Sequence, residues 1–209
     1  ANIQESEAAW KTRKAEHAGE PPVEPLYTVD DAKGAAACFR PCRYGECVTI
    51  ADGLRVRFSD IGHLLGSACI EFWLREDGTE KKIVFSGDVG NIDQPILNDP
   101  LPVAETDYLV VESTYGNRLH DKPKDVRAEL TEVLQRAFDR GGSVIIPAFA
   151  VGRTQELLYL LREIKQKKLV HGHDGFPVYL DSPLAEEATS VFLQCDTDCF
   201  DLETQAVLK

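Results

Sequence analysis

Two Asp-Gly pairs constrain this chain more than any other local feature. Asp52-Gly53 lies between the strand-like runs Cys47–Ile50 and Leu54–Phe58. Asp77-Gly78 lies between Ser67–Leu74 and Lys81–Phe85. Asp-Gly between two such runs specifies a tight β-hairpin, because both residues tolerate the positive φ of a two-residue turn. A fifth short apolar run covers Asp107–Val111. Five strands joined this tightly predict an antiparallel or mixed sheet that forms one half of a sandwich.

The pattern changes near Gly116-Asn117. Val126, Leu130, Val133, Leu134, Ala137 and Phe138 follow helical spacing, and Gly141-Gly142 ends that helix. Val144-Ile145-Ile146 reads as a buried strand. Gly152-Arg153-Thr154 opens a helix with Leu157, Leu158, Leu161 and Ile164 on one face. Val178-Tyr179-Leu180 reads as another strand, followed by a helix over 184–193. Alternating helices and strands predict a parallel sheet covered by helices. Upstream of both regions, residues 3–18 read as a polar helix stopped by Gly19-Glu20-Pro21-Pro22. Thr28 and Asp31 form a capping-box pattern ahead of a short second helix.

Composition narrows the class. The chain has 209 residues, 43% of them hydrophobic and 28% charged, enough for a sizeable core. No apolar run reaches the roughly 18–20 residues that cross a bilayer, so no membrane association is expected. The formal charge of −12 argues against a protein that coats nucleic acid non-specifically. It leaves room for a nuclease, because a local metal and basic groove can hold one phosphate on an acidic protein. Cys38, Cys42, Cys47, Cys69, Cys195 and Cys199 include no C-x-x-C pair. They read as reduced structural thiols of a cytoplasmic protein.

Three residues stand out for chemistry. His63, Asp88 and Glu112 each sit at the C-terminal end of an apolar, strand-like run. Strand ends on short loops are where α/β folds collect functional groups. Each residue alone has an ordinary structural reading: a strand-capping imidazole, an Asx turn, a solvated acid. Together a histidine and an aspartate suit a divalent metal such as zinc. Arg153, at a helix start after Gly152, suits a phosphate, and pairing with Glu156 is the equal alternative. Ser182, before Pro183, is read as a substrate contact or as a helix N-cap.

The order and surroundings of these motifs resemble the β-CASP nucleases of the metallo-β-lactamase fold. The resemblance rests on Ile61-Gly62-His63, Ser86-Gly87-Asp88 and Val111-Glu112-Ser113-Thr114-Tyr115-Gly116. It continues through 141–156 and 178–185. It implies half of a metallo-β-lactamase αββα sandwich over residues 1–117, followed by the first part of an α/β β-CASP cassette with parallel strands over 118–209. It also implies a ribonuclease that hydrolyses RNA phosphodiesters with two zinc ions. His63 would ligate zinc, Asp88 would ligate and bridge both ions, and Glu112 would support a catalytic histidine outside this chain. Glutamate rather than aspartate at 112 resembles the RNA-processing branches. The His-x-His-x-Asp-His motif and the C-terminal histidine motifs of the family are absent from these residues. The chain therefore reads as an internal piece with an incomplete zinc site, inactive alone. A homodimer of the parent is compatible with the resemblance. Two alternatives stand beside it: a non-catalytic β-CASP scaffold of an RNA-processing complex, and a small-molecule hydrolase of the same fold.

Overall fold

A computed structural model describes residues 1–119 and 125–208. The chain divides into two compact units, residues 1–43 and 44–209. In the first, α1 (Asn2–Ala18) ends at Gly19, whose φ of 72° closes the helix with a left-handed cap. The helix α2 (Val29–Ala37) begins with the capping box expected of Thr28 and Asp31. Asp31 Oδ2 accepts the Thr28 amide at 2.8 Å, and the Thr28 hydroxyl accepts the Asp31 amide at 3.2 Å. Thr12 and Val23 exchange two hydrogen bonds, and Glu5 accepts the Val29 amide at 2.7 Å. These contacts fold the connection back along α1.

The second unit is built on a five-stranded sheet of order β1-β2-β3-β4-β5. Its strands are β1 (Cys47–Ala51), β2 (Leu54–Asp60), β3 (Ala68–Glu76), β4 (Thr79–Phe85) and β5 (Tyr108–Val110). The first four pair antiparallel, and β5 joins β4 in parallel. The Asp77-Gly78 turn has positive φ at both residues, 47° and 75°, as the hairpin reading requires.

Side chains opposite one another in the ladder share a face. One face carries Arg57 opposite Glu71 and Arg55 opposite Trp73, with Lys82 beyond it. Glu71 is buried and takes both guanidinium nitrogens of Arg57, at 2.8 and 2.9 Å. It also takes the Ser59 hydroxyl at 2.9 Å and the Lys82 ammonium at 2.6 Å. Burial pushes its carboxyl up, but these donors together outweigh burial and hold it at about 2. The opposite face is apolar. It carries Val56, Phe72 and Ile83 in one row and Phe58, Ile70 and Phe85 in the next.

After the sheet come α3 (Val126–Asp139), α4 (Arg153–Gln166), α5 (Pro183–Gln194), a 3-10 turn (Thr197–Cys199) and α6 (Leu202–Leu208). Leu134 of α3 packs with Leu161 and Ile164 of α4, Val170 and Phe176 in a buried cluster. Hydrogen bonds tie the 3-10 turn and the start of α6 to the loop after β4: Asn98 Nδ2 donates to Asp198 O at 3.0 Å, and the Asp201 amide donates to Ile96 O at 3.0 Å.

The strands expected at 144–146 and 178–180 differ from expectation. Neither segment joins a ladder among the described residues. Val144, Ile146, Val178 and Leu180 line a cavity of about 770 Å³ against α3 and α4. Ile145 and Tyr179 point outward, 90% and 85% exposed. An apolar run announces burial of alternate side chains. A strand additionally needs a neighbouring backbone about 4.8 Å away, which periodicity does not report. The parallel pairing of this mixed α/β chain lies between β4 and β5 instead.

Candidate active site

His63 stands in the loop between β2 and β3, and the loop is held by short-range polar bonds. Asp60 Oδ1 accepts the Gly62 amide at 2.9 Å. The Ser67 hydroxyl accepts the amides of both His63 and Leu64, each at 3.1 Å. The Tyr44 hydroxyl donates to Ser67 O at 2.7 Å. Burial, with Asp60 and Cys199 nearby, pushes the Tyr44 phenol up to about 12, so it stays a neutral donor. Leu64 packs onto Gly152, placing the start of α4 beside the His63 loop.

The Asp88 loop, after β4, touches the His63 loop through backbone. The Gly90 amide donates to Ile61 O at 2.9 Å. A Cβ built on Gly90 would lie 1.9 Å from Gly62 O, so no larger residue fits without separating the loops. The outcome is direct: His63 Nε2 lies 3.9 Å from Asp88 Oδ2. That is too long for a hydrogen bond and short enough for both atoms to face one site.

Glu112 follows β5 and closes the third side. Its Oε1 accepts the Val89 amide at 2.5 Å, and its Oε2 accepts the Thr114 hydroxyl at 2.8 Å. Its own amide donates to the buried Ser86 hydroxyl at 3.1 Å. The Val89 amide and then the Thr114 hydroxyl hold the Glu112 carboxyl below the usual range against some burial, and His63 adds to the effect. The structure therefore brings His63, Asp88 and Glu112 together, from three strand ends.

The donors fit a divalent metal in kind, being an imidazole and a carboxylate that face one another. Their number is two, and among the described residues no group of three His, Cys, Asp or Glu forms a metal site. In the His171-Gly172-His173-Asp174 run, His173 pairs with Asp139 at 3.0 Å and Asp174 with Lys168 at 3.3 Å.

The other two site candidates take simpler roles here. Arg153 bonds to Glu156 at 2.6 Å, while its side chain remains 66% exposed at the start of α4. Ser182 caps α5, its hydroxyl accepting the Ala185 amide at 3.3 Å. Sequence reasoning passed over Ser67, Ser86, Thr114 and Gln155. Gln155 accepts the Gly152 amide at 2.7 Å and donates to Ala150 O at 3.1 Å, shaping the turn into α4. Ser67, Thr114 and Gln155 bond within their own loops and turns, as such side chains commonly do, whereas Ser86 receives its partner from the end of β5.

The site thus consists of two strand-end acids and an imidazole on a mixed sheet, followed by an α-helical region. Residues 154–207 match the Beta-Casp domain. Ribonuclease TTHA0252 of Thermus thermophilus is 36% identical over 171 residues, covering 81% of this chain and 37% of that protein. The RNase J-like protein of Methanocaldococcus jannaschii is 35% identical over 171 residues, covering 80% and 38%. Cleavage and polyadenylation specificity factor 73 of Drosophila melanogaster is 35% identical, covering 80% and 24%. Residues 154–207 thus belong to the β-CASP family, and most of the chain is similar to these relatives. The chain spans less than two fifths of the length of each of these relatives.

Proposed function

We propose that this chain is part of a metal-dependent ribonuclease, and that His63 and Asp88 are its contribution to a zinc site. The observation that carries the reading is the approach of His63 Nε2 to Asp88 Oδ2, 3.9 Å, on loops locked together at Gly62 and Gly90. Relatives named as ribonucleases support RNA as the substrate class. Zinc, once bound, would supply Lewis acidity toward the phosphate and a water made nucleophilic near neutral pH. The chain's own residues do the rest. His63 offers an imidazole nitrogen, and Asp88 offers two oxygens that offset cationic charge. Glu112 stands behind them, a carboxylate able to support an imidazolium at the leaving-group side. Arg153, once released from Glu156, is placed to meet a phosphate at the start of α4. Ser182 keeps its proposed substrate role only if its capping bond yields. A division at 117/118 between metallo-β-lactamase and β-CASP parts, and a homodimer, belong to the same proposal.

A cytoplasmic setting is supported by six free thiols, which oxidising compartments would tend to pair. Among the described residues no helix is long and apolar enough to cross a membrane.

Chelation tests the reading. The full protein stripped with a chelator should lose cleavage of labelled single-stranded RNA and regain it with added zinc or manganese. His63→Ala should stay inactive at the same metal concentration. Cleavage that survives stripping, or survives in His63→Ala, contradicts a metal site built on this histidine.

A further inference from the structure

We propose that Ser86 and Thr114 are positioning residues that fix the Asp88 carboxylate opposite His63, acting through Glu112. The inference rests on the ribonuclease reading above and deepens it. Asp88 is 74% exposed at its side chain, and among the described residues no hydrogen bond holds its carboxylate. Its location must therefore come from its backbone. That backbone is pinned on both sides. Before it, the Ser86 amide donates to Val110 O at 2.9 Å, and the Ser86 hydroxyl accepts the Glu112 amide at 3.1 Å. After it, the Val89 amide donates to Glu112 Oε1 at 2.5 Å, and the Gly90 amide donates to Ile61 O at 2.9 Å.

Three of these four anchors lead to the end of β5, and two of the three run through a side chain, the Ser86 hydroxyl and the Glu112 carboxylate. The Glu112 carboxylate can hold the Val89 amide only while its plane is fixed. Thr114 fixes it, donating its hydroxyl to the second oxygen at 2.8 Å. Ser86 fixes the Glu112 backbone and at the same time donates to Gly87 O at 2.6 Å, the carbonyl just before Asp88. The result is a closed clasp of Ser86, Glu112, Thr114 and Val89 around one otherwise unsupported carboxylate. A hydroxyl lost from this clasp frees the carboxylate to swing without removing any group from the site. The effect should fall on turnover, because misplacing a reacting group by about 1 Å costs on the order of 10²-fold in rate.

Thr114 gives the cleanest test because it is exposed, so its variants should fold. Thr114→Val keeps the shape and deletes the hydroxyl, whereas Thr114→Ser keeps the hydroxyl. Amide hydrogen exchange in this chain should be about 5-fold faster at Val89 in Thr114→Val, the scale of one net hydrogen bond. It should be near its original value in Thr114→Ser. Ser86→Ala should expose the Glu112 amide to exchange as well. In the full protein, Thr114→Val should lower kcat by roughly 10-fold with KM unchanged, and Thr114→Ser should restore it. Equal Val89 exchange in the Val and Ser variants overturns the clasp. Faster exchange with unchanged kcat overturns its bearing on Asp88. Asp88→Ala separates the two claims: cleavage at the unaltered rate in that variant sinks the ribonuclease reading, while Val89 exchange still judges the clasp.

Discussion

Replacing Glu71 with glutamine removes the carboxylate that Arg57 and Lys82 share on the sheet's polar face. Its carboxyl sits at about 2 rather than its ordinary 4.5. That difference corresponds to about 3 kcal/mol of stability. The side chain is 1% exposed, so solvent screening takes little away. The sign follows from the depressed value. The unfolded chain binds the proton more tightly, so the contribution is complete above pH 4.5. It shrinks as pH falls through that value toward 2 and is absent below. Glu71→Gln also leaves Arg57 and Lys82 short of their shared partner, which points the same way at neutral pH. Urea unfolding of this chain and of Glu71→Gln should therefore differ by about 3 kcal/mol at pH 7. The gap should narrow below pH 4.5 and nearly close at pH 2. A gap that stays constant over that range, or that is absent at pH 7, refutes the assignment of this stability to the ionised carboxylate.

Gly90→Ala should force the two site loops apart, since the new Cβ would meet Gly62 O at 1.9 Å. Urea unfolding should show a loss of about 1–3 kcal/mol, the usual range for overpacking, and zinc uptake by the full protein should weaken. Glu112→Gln in the full protein should slow cleavage without removing metal, and the defect should shrink with a substrate whose leaving group needs no proton. General acid support is worth roughly 10²–10⁴-fold, so an equal defect on both substrates would assign Glu112 to positioning alone. This chain by itself should not turn over single-stranded RNA with zinc or manganese, because it brings two ligands where catalytic zinc takes about three from protein. Turnover that disappears in His63→Ala would contradict that.

The sheet was legible because its signals are local. Asp77-Gly78 announces its own turn, and the runs around it announce two strands. The site was legible in a weaker sense. His63, Asp88 and Glu112 could be placed at strand ends, and the adjacency of those strands in the sheet then brought them together. What escaped depends on distant partners. A serine hydroxyl at 86 looks the same in sequence whether it faces solvent or receives the Glu112 amide. Both oxygens of Glu112 also bond within the chain, to the Val89 amide and the Thr114 hydroxyl, which its place at a strand end did not announce. Val144–Ile146 and Val178–Leu180 keep strand-like alternation against α3 and α4, but alternation does not name a ladder partner. Arg153 and Ser182 were ambiguous for a related reason. The first turn of a helix favours both internal caps and anions.

The most direct measurement is RNA cleavage by Asp88→Ala in the full protein, made with metal in excess and with RNA binding recorded on the same samples. Asp88 faces His63, and among the described residues no hydrogen bond holds its side chain, so its removal should leave the fold intact. The expected result is loss of cleavage with RNA affinity nearly unchanged, because most nucleic-acid contacts are made away from the reacting centre. Cleavage near the unaltered rate in a metal-replete, folded Asp88→Ala protein would contradict the central claim that this carboxylate and His63 form the reacting site.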